Sequence, residues 1–165
     1  MPLELPPPEF KRSVCACGPC TAFCFTKPGY LIPSDLFRIA DHLVTAERIE
    51  KTQDVFTFLR ASKGAVLGDT KSGQLFRVGT ITPRLENGRC VFLTEEDRCS
   101  IHAVSPFGCS HFSTHDDHRG ADIKSLWGLR QIMHTPAYDQ ARQALIARDG
   151  QATEFLTPNP GETPR

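Results

Sequence analysis

The sequence has no excess of charge of either sign. Its 165 residues include 19 Lys and Arg and 19 Asp and Glu, so the formal net charge is zero. Proteins that attract nucleic acid or anionic lipid over a distance usually carry a basic excess. We therefore predict that this protein has no nucleic-acid partner.

Long hydrophobic runs are also missing. A membrane-spanning helix needs about 20 consecutive, mostly apolar residues, and no stretch of the chain approaches that length. Residues 1–12 lack the apolar segment of a secretory signal. We expect a cytoplasmic protein without a membrane partner, and a chain of this length suits one domain.

The two ends of the chain offer few apolar anchors. Prolines cluster in residues 2–8 and again in residues 158–164, a composition that does not favour a packed core. The sequence therefore predicts a disordered N-terminal arm at 1–12, a cysteine-cluster metal-binding domain at 13–150 and a flexible tail at 151–165.

The first half of the domain alternates between helical and extended patterns. Apolar residues recur with helical spacing after Pro33, which predicts a helix from Ser34 to Thr45, and a second helix is predicted from Thr52 to Arg60. Residues 75–82 are rich in β-branched and aromatic types and predict a strand. Asn87-Gly88 is a strong hairpin signal, so we expect a strand at 89–93.

The second half begins with a tighter loop and ends in helices. A hairpin centred on Thr94 and Glu95 would place Cys90 opposite Cys99, with their Cβ atoms about 5 Å apart. One helix is predicted after Asp122, and another from Thr135-Pro136 to Gly150. The predicted fold is a small single α+β domain in which helices flank a short antiparallel hairpin region and a cysteine metal site ties the loops.

Cysteine is the residue type that stands out. The seven cysteines form two groups, namely Cys15, Cys17, Cys20 and Cys24, followed by Cys90, Cys99 and Cys109. Their odd number and the missing export signal argue against disulfides. Clustered thiolates bind zinc, Cu(I) or iron–sulfur clusters. We predict that all seven are metal ligands and that the two groups converge, because three thiolates leave a tetrahedral site incomplete.

Two other uses of these thiols are possible from the sequence. Cys17-Gly18-Pro19-Cys20 has the spacing of a thioredoxin-like redox pair, but such a pair lies at a helix start after a strand, whereas its surroundings here are loop-like. Cys109 with a nearby histidine would suit nucleophilic catalysis, which needs one privileged thiol instead of seven clustered ones. Metal ligation is the stronger interpretation.

Several histidines lie near the second cysteine group. His102 or His111 would complete two tetrahedral zinc sites together with seven cysteines, although a single histidine near a metal often supports the ligands instead. His111, His115 and His118, with Asp116 and Asp117, resemble a metal site if the stretch is helical, since residues four apart share a face. Because the stretch is so polar, the sequence favours a solvated loop over a metal site.

Four motifs in this order resemble a known family. They are Cys-Ala-Cys-Gly-Pro-Cys at 15–20 with Cys24, Pro-Gly-Tyr-Leu-Ile-Pro-Ser-Asp-Leu at 28–36, Gly-Arg-Cys-Val-Phe-Leu at 88–93, and Cys-Ser-Ile-His-Ala-Val-Ser-Pro-Phe-Gly-Cys at 99–109. The chain resembles the YkgJ-type cysteine-cluster proteins, the proposed zinc- or iron-chelating CxxCxxCC domains. The resemblance implies an intracellular metal-binding domain that carries an iron–sulfur cluster or zinc.

These observations predict an intracellular protein that holds an iron–sulfur cluster or Zn²⁺ through cysteine thiolates. Seven thiols exceed what one zinc ion uses, which favours the cluster. The alternatives are a redox or catalytic iron–sulfur domain and a structural zinc module that mediates protein interaction. No phosphate loop, Ser-His-Asp set or carboxylate pair stands out, so the sequence assigns neither a reaction nor a protein partner.

Overall fold

A computed structural model describes residues 4–13, 16–68 and 71–152, except for the side chains of residues 67 and 68. Five α-helices are present in this part of the chain. They are α1 (Gly18–Thr26), α2 (Pro33–Thr45), α3 (Phe107–Ser110), α4 (His118–Met133) and α5 (Pro136–Asp149). Two 3-10 helices, Thr52–Phe58 and His102–Val104, lie before β1 and before α3.

Four strands in the described part of the chain form two separate antiparallel pairs, one long and one of two residues per strand. They are β1 (Leu59–Gly68), β2 (Leu75–Pro83), β3 (Leu85–Glu86) and β4 (Arg89–Cys90). β1 pairs with β2, and β3 pairs with β4. Helices around two small antiparallel sheets make this an α+β fold, as the sequence predicts.

One hydrophobic core joins the helices to the longer hairpin. Its most deeply buried members come from α2, β1, β2, the segment after β4, and α4 and α5; they include Ile39, Leu43, Leu59, Ile81, Phe92, Ile101, Leu129, Tyr138 and Leu145. The apolar periodicity that predicts α2 and α5 therefore places α5 against β1 and β2, and α2 against the 3-10 helix Thr52–Phe58.

Tyr138 is the polar anchor of this core. Its hydroxyl donates to the Leu31 carbonyl at 2.5 Å and accepts from the Ile81 amide at 2.8 Å. The Leu31 amide in turn donates to the Ile81 carbonyl at 2.8 Å. α5, β2 and the segment before α2 are thereby joined at one buried point.

Asp35 is a second buried polar group that joins separate segments, near the second cysteine group. Its Oδ2 atom accepts from the amides of Ile32 and Phe107 at 3.0 and 2.7 Å, and its Oδ1 atom accepts from Arg38. Burial raises the pKa of this carboxyl group to about 6, although the two amides and Arg38 oppose the shift. Asp35 therefore attaches the start of α2 to the start of α3.

Several predicted elements are confirmed. α2 covers the predicted helix at 34–45, β2 covers the predicted strand, and α5 ends at Gly150, whose φ of 79° is the left-handed value that favours glycine. Asn87 and Gly88 both adopt positive φ, as the turn between β3 and β4 requires.

Other sequence expectations are wrong. The predicted helix at 52–60 is a 3-10 helix that ends at Phe58, because β1 begins at Leu59 and pairs with β2. The predicted strand at 89–93 stops at Cys90. Cys99 pairs with Leu93 and not with Cys90, since the loop closes through a bond from the Thr94 amide to the Arg98 carbonyl.

The N-terminal residues that the structure describes contact the helical part. Phe10 lies edge-on against Trp127 at 5.9 Å, and the Ser13 amide donates to the Ser110 carbonyl at 2.6 Å. The Arg12 guanidinium donates to the carbonyls of His102 and Ala103. The domain boundaries at residues 13 and 150 stay a prediction, and residues 153–165 lie outside the described part.

Candidate metal centre

The three described cysteines of the first group lie at the start of α1 and within it, whereas the sequence predicts loop-like surroundings. Cys17 is the residue before α1, and Pro19 occupies the first turn, where its missing amide proton costs no hydrogen bond. Cys20 and Cys24 lie one turn apart on α1, so they share a helix face. The helix therefore fixes the relative positions of both thiols.

Cys17 and Cys20 meet a histidine from the loop before α4. The Cys17 Sγ atom lies 3.4 Å from His115 Nε2, and the ligand atoms of Cys17, Cys20 and His115 all lie within 4.8 Å of one another. Both thiols are half-buried and His115 is exposed. Soft sulfur and imidazole nitrogen donors are a set that suits zinc.

The loop before α4 also forms hydrogen bonds to Cys20. The Thr114 amide donates to Cys20 Sγ at 3.4 Å, and the Thr114 hydroxyl lies 3.1 Å from the same sulfur. Hydrogen bonds from such groups support a thiolate that binds a metal.

The spacing of these three donors fits a single ion. Zinc–sulfur and zinc–nitrogen bonds of roughly 2.3 and 2.0 Å place tetrahedral ligand atoms about 3.5–3.8 Å apart. The observed group, with atoms within 4.8 Å, needs only a small closure to reach that spacing. Among the described residues, this group has donors for three of the four positions of a tetrahedral zinc ion.

The remaining four described cysteines are neighbours in a second group. We call Cys24, Cys90, Cys99 and Cys109 the four-thiol group. Burial is the largest cause that raises the pKa of each. The Cys20 thiol raises the pKa of Cys24 further, and thiols of the group itself raise those of the other three; the pKa of Cys90 rises to about 11. Cys24 raises the pKa of all three others, so the two cysteine groups of the sequence meet at Cys24.

A close backbone approach holds Cys109 in the four-thiol group. A Cβ atom on Gly29 would lie 2.0 Å from the Gly108 carbonyl carbon, and one on Gly108 would lie 2.4 Å from the Tyr30 amide nitrogen. The approach lets the Gly29 amide donate to Cys109 Sγ at 3.1 Å. Only glycine at both positions permits this contact.

The donors of the four-thiol group are more widely spaced than those of the first site. Within residues 4–13, 16–68 and 71–152, only Cys17, Cys20 and His115 place three ligand atoms within 4.8 Å of one another. Four thiolates on a single zinc ion would lie about 3.8 Å apart. The four-thiol group is therefore wider than one ion requires.

The CxxCxxCC family, whose description is "Putative zinc- or iron-chelating domain", has a model that matches residues 16–129. The chain belongs to this family. No curated protein and no solved structure gives a significant match. None of the described helices is long and apolar enough to cross a membrane.

The match to the CxxCxxCC family includes six of the seven predicted ligands and His115. Cys15 lies outside the matched range and outside the described residues. The structure brings Cys17 and Cys20 together with His115, and Cys24, which lies one turn from Cys20 on α1, also neighbours Cys90, Cys99 and Cys109. That all seven bind metal stays a prediction.

The structure places His102 and His111 in different surroundings. His102 is exposed, and its carbonyl accepts from Arg12. His111 is buried, stacks on Phe107 at 4.8 Å and lies 2.7 Å through its Nδ1 atom from the Ser110 hydroxyl. Burial lowers the pKa of His111 to about 4, and the charges of Arg12, Lys124 and Arg38 lower it further.

His115 is a candidate ligand that the sequence places in a solvated loop. Its polar neighbours favour such a loop, and it is indeed exposed. The loop returns to α1, because Thr114 bonds to Cys20. The signal in the sequence was the spacing of His111, His115 and His118 beside Asp116 and Asp117, which indicates a metal site only if the stretch is helical.

Proposed function

We propose that this protein binds metal at two centres. Cys17, Cys20 and His115 hold a zinc ion, and the four-thiol group holds an iron–sulfur cluster. The observation that carries the proposal is the approach of three ligand atoms from α1 and the loop before α4 to within 4.8 Å of one another. The zinc- or iron-chelating description of the family supports it.

Ligand spacing supports a different cargo at each centre. The Cys17 group has the donor types and the spacing of a single zinc ion. In an iron–sulfur cluster each thiolate binds a different iron atom, so four cysteines suit a cluster at wider spacing. Phe92 and Phe107, which are each 1% exposed, contribute to an apolar surrounding that such a cluster prefers.

The four thiols come from different segments of the fold, so metal bound to them would contribute to its stability. Cys24 belongs to α1, Cys90 to β4 and Cys109 to α3, while Cys99 follows the loop after Leu93. Metal bound there would connect all these segments, and the binding free energy would add to folding stability. A redox function of the same cluster is the alternative, and free thiols favour a reducing, intracellular compartment for either.

The proposal is tested by purifying the protein without oxygen and measuring zinc, iron, acid-labile sulfide and the visible spectrum. We expect iron and sulfide in equal amounts, a brown colour with broad absorbance near ~400 nm, and about one zinc ion per chain. Cys17→Ser and His115→Ala should lose zinc and keep sulfide. Cys90→Ser and Cys99→Ser should lose sulfide and keep zinc.

Two results would contradict the proposal in different ways. Colourless protein with about two zinc ions per chain would replace the cluster by a second zinc site. Full zinc and iron content in every variant would show that these side chains are not ligands. Cys17 and Cys20 found as a disulfide under these conditions would instead favour the redox pair.

A further inference from the structure

The loop before α4, residues 111–117, carries part of the first metal centre. The His115 Nε2 atom lies 3.4 Å from Cys17 Sγ, and the Thr114 amide donates to Cys20 Sγ at 3.4 Å. Both loop residues are exposed, and the loop forms neither helix nor strand. Burial therefore does not hold His115 against α1, and other contacts must fix the loop.

Asp116 closes the loop into a turn. Its Oδ2 atom accepts from the Ser113 amide at 2.9 Å, and the Ser113 hydroxyl donates to its Oδ1 atom at 3.4 Å. The same hydroxyl oxygen accepts from the His115 amide at 3.2 Å, and the Asp116 amide donates to the Ser113 carbonyl at 3.2 Å. These bonds fix the backbone on both sides of His115.

Lys124 attaches this turn to α4. Its Nζ atom lies 3.1 Å from Asp116 Oδ2, donates to the His111 carbonyl at 2.6 Å and lies 5.4 Å from the centre of the Phe112 ring. The side chains of Lys124 and Asp116 are only 16% and 23% exposed, so water screens their attraction less than it screens a surface pair. One ammonium group thereby contacts the loop at three points.

The helix that carries Lys124 is itself anchored in the core. Leu129 and Ile132 of α4 belong to the buried core, and Trp127 packs on Phe107 with the ring centres 5.3 Å apart. The position of Lys124 is therefore set by α4, and the contacts to Asp116 and to the His111 carbonyl transmit that position to the loop.

This arrangement bears on metal affinity as well as on local stability. A ligand on an unsupported loop loses conformational freedom when the metal binds, and that loss weakens binding. A loop that is already held in place avoids much of this cost. Groups that orient ligands typically change metal affinity by about 10–100-fold when they are removed.

We propose that Asp116 and Lys124 are positioning residues of the first metal centre, which hold the loop with His115 against Cys17 and Cys20 before the metal binds. Neither residue is a ligand in this proposal, and Asp116 is not in the group of ligand atoms that lie within 4.8 Å of one another. The inference rests on the zinc centre of the proposed function, and it holds whichever residue completes the coordination.

The test measures the zinc affinity of protein purified without oxygen, by competition with a chromophoric chelator. Zinc bound by His115→Ala is subtracted to isolate the first centre. Asp116→Ala and Lys124→Met should each weaken zinc binding by about 10–100-fold, while the metal that His115→Ala retains stays as in the parent. Lys124→Arg keeps a cation beside Asp116, so it should bind zinc more tightly than Lys124→Met.

A double variant and two controls examine the pair itself. Asp116→Ala with Lys124→Met should bind zinc about as weakly as the weaker single variant, because both changes remove the same contact. Asp122→Ala removes an exposed carboxylate from α4, and Lys51→Met removes an exposed ammonium group far from the loop in sequence. Both controls should bind zinc as the parent does.

Cobalt(II) at saturation separates a positioning residue from a ligand, because its visible bands report the donor atoms. Asp116→Ala and Lys124→Met should need more cobalt than the parent does, and they should then show the parent's bands, since the same donors are used. His115→Ala should show different bands at any cobalt concentration.

The possible results separate this inference from the proposed function. Parent-like zinc affinity in Asp116→Ala and Lys124→Met would overturn the inference and leave the zinc centre standing. Saturated cobalt bands in Asp116→Ala that differ from the parent's would make Asp116 a ligand, and loss of metal from the four-thiol group would show a general structural role; either result also overturns the inference. Zinc binding that is insensitive to Cys17→Ser and His115→Ala would overturn both proposals.

Discussion

Two buried tyrosine hydroxyl groups contribute very differently to the stability of the fold. Tyr138 and Tyr30 both bury their hydroxyl groups. The Tyr138 hydroxyl makes two hydrogen bonds, whereas the Tyr30 hydroxyl is buried without a partner in the described part of the chain. Burial without a hydrogen bond costs free energy, so only one of these groups contributes to stability.

This contrast gives a matched pair of variants. Tyr138→Phe leaves the Ile81 amide and the Leu31 carbonyl without their buried partner, and we expect the free energy of unfolding to fall by about 1–3 kcal/mol. Tyr30→Phe should change it by less than ~0.5 kcal/mol or raise it slightly. Urea unfolding of the three proteins measures both values, and equal losses would contradict the assignment.

Asp35 predicts a pH dependence of stability. Its pKa is about 6 in the folded protein against an ordinary value of 3.8. Between these values the unfolded chain has released the proton and the folded chain still holds it, so stability decreases as pH rises from about 4 to about 6. The contribution is present in full below pH 4 and is lost above pH 6.

Asp35→Asn isolates this effect because the amide does not titrate. The free energy of unfolding is measured for both proteins in the same metal state at several pH values from 4 to 7. We expect the parent to lose up to about 3 kcal/mol relative to the variant as pH rises. A constant difference across this range would show that the carboxyl group has an ordinary pKa.

At the scale of elements, the sequence predicts those segments whose pattern is local. α2 and α5 follow from their apolar spacing and from proline and glycine at their ends. β1 was missed because it is defined by pairing with β2, and Gly64, with a φ of 78°, interrupts its pattern at a bulge. Pairing between distant residues has no local signal.

The two proposed metal centres show the same limit. Cysteine spacing predicts that both groups bind metal, but it does not show that Cys24 neighbours Cys90, Cys99 and Cys109 as well as Cys20. That arrangement results from α1, which places Cys20 and Cys24 along one helix face. His115 depends on the return of a polar loop to α1, which residue types alone do not encode.

The close contact between Gly29 and Gly108 allows a test of how neighbouring segments position Cys109. Gly108→Ala places a Cβ atom 2.4 Å from the Tyr30 amide nitrogen, so the segments must separate. We expect iron and sulfide content to fall along with thermal stability. Gly18→Ala is the control, because a Cβ atom there meets nothing within 4 Å. Equal cluster content in both variants would show that this contact does not position Cys109.

At the scale of the whole molecule, the two centres occupy different places. The Cys17 group joins α1 to an exposed loop. The four-thiol group joins α1, β4 and α3 next to Phe92 and Phe107, which are buried. Metal at the first centre should therefore stabilise a local contact, and metal at the second should stabilise the fold.

This difference predicts unequal effects of ligand loss on thermal unfolding. His115→Ala should lower the unfolding temperature by a few degrees at most, because about 1 kcal/mol shifts it by roughly 2–4 °C in a protein of this size. Cys99→Ser should lower it by about 10 °C or more, since the binding free energy of the cluster is lost from the folded state. His118 is an exposed histidine at the start of α4, so His118→Ala is the control and should melt like the parent.

The unfolding temperatures are measured by calorimetry on protein purified without oxygen, and metal content is measured on the same samples. Equal shifts for His115→Ala and Cys99→Ser would mean that both centres support the core alike, and a Cys99→Ser protein that melts like the parent would show that the apolar core alone holds the fold.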